Sequence, residues 1–140
     1  HLKDIETGKR KRILRGGFKT NTLVADYQYP LCAWSPDNKT LAVIYERRDK
    51  TRMVLYDTEK KKKERTFITK FQQIHDFSFG DNPKMLVMSA VNRGHSDVYT
   101  YFIPSTTVQQ ITTDHYDDLN VSFFKSETHR GILFSSNRLS

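Results

Sequence analysis

The sequence predicts an all-β fold of repeated four-stranded antiparallel units, and three observations carry that prediction. The aromatic residues Trp34, Phe79 and Phe123 recur at steps of 45 and 44 residues. Each is followed by a polar, turn-forming segment and then by an apolar run of strand length. The segment from the end of one outer strand to the next aromatic anchor also keeps its length, 12 residues both from Phe67 to Phe79 and from Ile111 to Phe123. A period of about 40 to 45 residues is that of a propeller blade. The 140 residues therefore read as a β-propeller segment: two whole blades flanked by two half blades.

The elements follow in order. Residues 2–9 lie over residues 55–62 as a third strand and its turn, with Ile13 and Leu14 closing a fourth strand. A long connection over 15–29 carries Gly16-Gly17 as a breaker and Leu23-Val24 as a short strand. The first complete unit opens with an inner strand over 31–34 and turns through Ser35-Pro36-Asp37-Asn38-Lys39-Thr40. In that turn Pro presets φ and Asn tolerates the left-handed conformation. The run Leu41-Ala42-Val43-Ile44-Tyr45 is apolar without alternation, which implies burial on both faces, as between stacked blades. Residues 53–57 read as the third strand, and an outer strand ends near Phe67.

The second unit repeats this plan. Its inner strand lies over 76–79, its turn over 80–85, its second strand over 86–90 and its third over 97–101, with an outer strand ending near Ile111. In the third unit, strands over 121–124 and 132–135 are separated by a turn two residues longer. The expected division is 1–14 for the end of one blade, 15–29 for a connection, 30–68 and 69–112 for blades, and 113–140 for the start of the next. Trp34, Phe79, Leu41 and Leu86 are expected in the core, and Cys32, within Leu31-Cys32-Ala33-Trp34, as a buried structural thiol. Lys60 to Lys63 are expected at an exposed hairpin tip.

Charge and composition narrow the function classes. The net charge of +7 is concentrated in two short runs, Lys9 to Arg12 and Lys60 to Arg65, which read as solvated hairpin tips. No helix-turn-helix, zinc-finger or aromatic RNA-binding pattern accompanies them, so no nucleic acid partner is expected. A single cysteine excludes an internal disulfide and a cysteine-rich metal site. No apolar stretch approaches the roughly twenty residues that a membrane-spanning helix needs.

Ala33-Trp34-Ser35-Pro36-Asp37-Asn38-Lys39-Thr40-Leu41-Ala42-Val43 resembles the repeat of TolB-type propellers, with Asn38 where that repeat usually has Gly. Asn92-Arg93-Gly94-His95-Ser96-Asp97-Val98-Tyr99 and Ser135-Ser136-Asn137-Arg138 are similar to the same family's loop between second and third strands. Gly80-Asp81-Asn82-Pro83 reorders the turn motif, and Lys125-Ser126-Glu127-Thr128 lacks its Pro and Asp. The resemblance spans nearly the whole chain. It implies a non-catalytic scaffold that binds protein or ligand in a bacterial cell envelope, periplasmic or outer-membrane-associated. Its implied partners are an envelope protein and further blades or domains of a parent protein. Related repeats also occur in prolyl-oligopeptidase-like and tricorn-like serine peptidases. The alternative is therefore a gating propeller whose catalytic domain lies outside this chain, and a propeller lyase with a metal in its funnel is a third reading.

The residues themselves carry no catalytic signature. There is no Gly-x-Ser-x-Gly, no Walker loop, no His-Glu-x-x-His and no dinucleotide fingerprint, so no enzyme and no cofactor are expected. His75, His95 and His115 fall in connections of one face, but a metal needs three or four converging ligands, and no metal is expected. His75-Asp76 and Asp117-Asp118 precede inner strands, where adjacent carboxylates either bind a cation or basic partner or cap turns. Ser96-Asp97 presents the same choice. Topology places Arg47, Arg48, Asp49, His75, Asp76, Arg93, His95, Asp117 and Asp118 on one face and the lysine tip on the other. The varied set is the expected binding surface.

Overall fold

A computed structural model describes residues 1–14, 30–48 and 50–138. The expected short strand at Leu23-Val24, the rest of the 15–29 connection and Asp49 lie outside the described residues. The chain is all-β, with four antiparallel sheets, two of four strands and two of two. No helix occurs among the described residues.

Strands β1 (Leu2–Lys3) and β2 (Arg10–Lys11) form the first pair. The first full sheet runs β3 (Leu31–Trp34), β4 (Thr40–Arg47), β5 (Lys50–Asp57), β6 (Lys62–Ile68), each strand bonded to its successor. The second repeats this with β7 (Gln73–Phe79), β8 (Met85–Asn92), β9 (His95–Phe102) and β10 (Thr107–Gln110). A final pair comprises β11 (Asp118–Lys125) and β12 (Arg130–Ser136). This is the expected plan of two four-stranded blades flanked by two half blades.

The pairing register reproduces the sequence repeat. Trp34 faces Leu41, Phe79 faces Leu86 and Phe123 faces Ile132, so each aromatic anchor opposes an apolar residue near the start of the next strand. The turns before the outer strands are also copies. Asp4 Oδ1 accepts the N–H groups of Glu6 and Thr7, at 2.9 and 3.0 Å, as Asp57 Oδ1 accepts those of Glu59 and Lys60, at 2.9 and 2.8 Å. The residue after each pair is left-handed, Gly8 at φ 70° and Lys61 at φ 54°. One detail departs from expectation. Ile13 and Leu14 do not close a fourth strand, because pairing ends at Lys11, and a buried Ile13 turns instead onto the neighbouring sheet.

Period-two alternation sends the two faces of β4 into different clusters. Ala42 and Ile44 join Met53 and the second sheet's Phe77, Phe79, Leu86, Met88 and Tyr99 in the main core. Leu41 and Val43 join Tyr56 and Ile13 in a smaller cluster on the opposite side. An unalternated apolar strand is thus buried on both faces, as expected. Leu41, Phe79 and Leu86 are buried, and Lys60 to Lys63 are exposed.

Two expectations are corrected: Trp34 is 44% exposed and Cys32 is exposed. Both pair with residues of the Leu41 and Val43 face and therefore point towards the β1–β2 pair. That pair has only two strands among the described residues, and its Leu2, Ile13 and Leu14 reach the cluster of Leu41, Val43 and Tyr56. Phe79, at the same repeat position as Trp34, has a whole four-stranded sheet to pack against.

Candidate functional site

The turns sort into two ends. At one end the Thr58 N–H and hydroxyl both donate to the Lys39 carbonyl at 2.9 Å, and the Ile103 N–H donates to the Lys84 carbonyl at 2.8 Å. These contacts join the turns after inner strands to the turns before outer strands. At the other end the turns between second and third strands meet the connections between sheets. The Gly94 N–H reaches Gln72 Oε1 at 3.4 Å, the Ser96 N–H reaches Asp117 Oδ1 at 3.4 Å, and the His95 and His115 rings meet edge to face at 5.9 Å.

That second end holds an open cleft of about 390 Å³ lined by His75, Asp76, Ser96, Asp117, Leu119 and Asn120. Strand β7 supplies His75 and Asp76 near a register shift between Ile74 and Asp76. Bulges of this kind re-aim side chains at sheet ends. His75 Nε2 lies 3.1 Å from the hydroxyl of a buried Ser96. Asp76 accepts the Phe77 N–H at 2.8 Å, and burial pushes its carboxyl pKa above the usual range despite that bond. A smaller cavity of about 180 Å³ lies between the two full sheets and also includes His75 among its lining residues.

The structure therefore brings His75, Asp76 and Asp117 together. Arg93 and His95 are exposed in and beside the turn that precedes Ser96, with Arg93 in the left-handed region at φ 54°. Arg47 and Arg48 occupy the corresponding turn of the first full sheet and do not line the cleft. Asp118 is fully buried, so its side chain points away from solvent into the junction between β9 and β11.

At that junction the carboxylates of Asp97, Asp114 and Asp118 converge, with one oxygen of each within 4.8 Å of the others. Arg138 pairs with Asp114 and, at 3.3 Å, with Asp118. Asp97 takes hydrogen bonds from Gln110 Nε2 at 2.9 Å and the Thr112 hydroxyl at 3.4 Å. Burial, with the charges of Asp114 and Asp118 adding to it, raises the Asp97 carboxyl pKa against those two bonds. Among the described residues this is the one group with metal-ligand spacing, and the histidines do not converge in such a group.

Sequence patterning singles out Asp97 and Asp118 separately and misses Asp114 and Arg138. A signal was present in the repeat. One period earlier the three carboxylate positions carry Arg52, Lys70 and Ile74, so the acidic set belongs to one junction and not to the repeat itself.

No family model matches the chain, and no curated protein matches it. Among solved structures it is similar to the crystal structure of TolB from Acinetobacter baumannii, at 20% sequence identity and a TM-score of 0.52. The match covers 66% of this chain and 23% of that one, so the chain spans under a quarter of that protein's length. No helix among the described residues is long and apolar enough to cross a membrane. At this identity the likeness shows the fold: the chain is built as a segment of a propeller of the kind seen in TolB.

Proposed function

We propose that this chain is a binding segment of a TolB-like propeller protein of a bacterial cell envelope, periplasmic or outer-membrane-associated, with no catalytic machinery of its own. Its blades span 30–68 and 69–112, the segments 1–14 and 113–140 belong to adjoining blades, and further blades of a parent protein complete the frame. The partner is an envelope protein. It docks on the end that carries Arg47, Arg48, His75, Asp76, Arg93, His95 and Asp117.

The observation that supports this reading is the cleft. Acidic, imidazole and hydroxyl groups from two sheets surround one opening, held by paired strands, with Arg93 and His95 beside it. Varied polar side chains on a rigid frame are what specific recognition uses. The opposite end presents Lys60 to Lys63, a repetitive cationic tip suited to salt-sensitive and weakly selective attraction. The His75–Ser96 pair supports binding over nucleophilic chemistry, since Ser96 is only 6% exposed and no Gly-x-Ser-x-Gly surrounds it.

The test is to isolate the partner from an envelope fraction by cross-linking and then titrate it calorimetrically. Reversing Arg47 and Arg93 to Glu should weaken binding more than reversing Lys60 and Lys62. The opposite order would place the partner on the lysine tip.

A further inference from the structure

We propose that Asp97, Asp114 and Asp118 form a calcium site that ties the second full sheet to the strand pair after it. The three residues come from separate elements, strand β9, the connection leading to β11, and β11 itself. Oxygens that ligate one calcium ion at about 2.3 to 2.6 Å stand no more than about 5 Å apart. Carboxylate oxygens within 4.8 Å of one another meet that condition.

A second observation is independent of the clustering. The Asp118 side chain is wholly buried, and among the described residues its Oδ1 has no hydrogen-bond partner, while Oδ2 faces Arg138. A buried carboxylate oxygen left without a partner is costly, and buried charges persist where they are paired or coordinate metals. Arg138 does not complete the balance: three carboxylates against one guanidinium leave two negative charges, which is the charge of one divalent cation.

The donor set selects the ion. All three ligands are hard oxygens, which suit calcium or magnesium over zinc. Calcium tolerates irregular coordination, whereas magnesium demands near-octahedral geometry and keeps its waters. Asp114 lies outside any strand and its side chain is 32% exposed, so its position can adjust to a larger ion. Calcium would then hold the wall beside Asp117 in place, because Asp118 is the next residue along the chain.

The experiment titrates calcium chloride, and separately magnesium chloride, into the chain by calorimetry, with thermal unfolding as a second readout. Wild type should bind one calcium saturably and unfold at a higher temperature in its presence. Asp114→Asn and Asp118→Asn should each weaken binding ~10-fold or more, since ligand charge sets calcium affinity. Arg138→Ala should bind calcium more tightly, because it removes the competing cation. Asp114→Asn lies on a partly exposed connection, so it tests the site even if Asp118→Asn fails to fold. Absence of saturable binding by both wild type and Arg138→Ala overturns the site. So does undiminished binding by Asp114→Asn, and magnesium binding as tightly as calcium overturns the assignment of the ion.

Discussion

Replacing Phe79 by alanine probes the link between repeat register and burial, because Trp34 occupies the same register position in a different environment. Phe79 is 6% exposed within the main core, so the substitution removes most of an aromatic ring from a closed contact. A phenylalanine buries on the order of 150 to 250 Å². Retaining the methyl group leaves roughly 130 Å² lost, or about 3 kcal/mol at about 25 cal/mol/Å². The cavity left behind brings the cost to about 3 to 5 kcal/mol. Trp34 is 44% exposed on a face where, among the described residues, only the two-stranded β1–β2 sheet packs, and an open site leaves no enclosed cavity. Trp34→Ala should therefore cost about 1 to 2 kcal/mol. Urea denaturation of both variants measures the difference through the midpoint, provided the m-value is unchanged. Equal losses at the two positions, or a Phe79 loss below about 1 kcal/mol, would refute the reasoning that the neighbouring sheet decides burial.

Two further outcomes follow from the site and from the corrected residues. Burial raises the Asp76 carboxyl pKa above 3.8, so the folded state binds the proton more tightly than the unfolded state. Its effect is to lower stability as pH rises from 3.8 through the raised value. Asp76→Asn, which keeps an acceptor for the Phe77 N–H, should flatten that part of the profile and raise stability at neutral pH, as read by denaturant midpoints across pH. Cys32 is exposed, so a thiol reagent such as dithionitrobenzoate should modify it fully in the folded chain without denaturant; protection until unfolding would show that face to be covered.

What the sequence by itself determined is local or periodic. The spacing of Trp34, Phe79 and Phe123, the turn segments after them and the unalternated run from Leu41 to Tyr45 located every strand of the two full sheets, because turn chemistry and side-chain alternation act over a few residues. The same periodicity separated the turns into two ends and so placed His75, Asp76, Arg93, His95 and Asp117 on one of them. The tertiary structure alone decided the exposure of Trp34 and Cys32, since burial depends on what faces a strand, and a sequence repeat assigns the same neighbours to every copy. It also decided the carboxylate cluster. Asp97, Asp114, Asp118 and Arg138 are separated by up to 41 positions and meet only because β9 and β11 lie side by side across a junction between sheets. Local rules place each of these residues on its strand or loop. Only the packing of one sheet on the next brings their charges together.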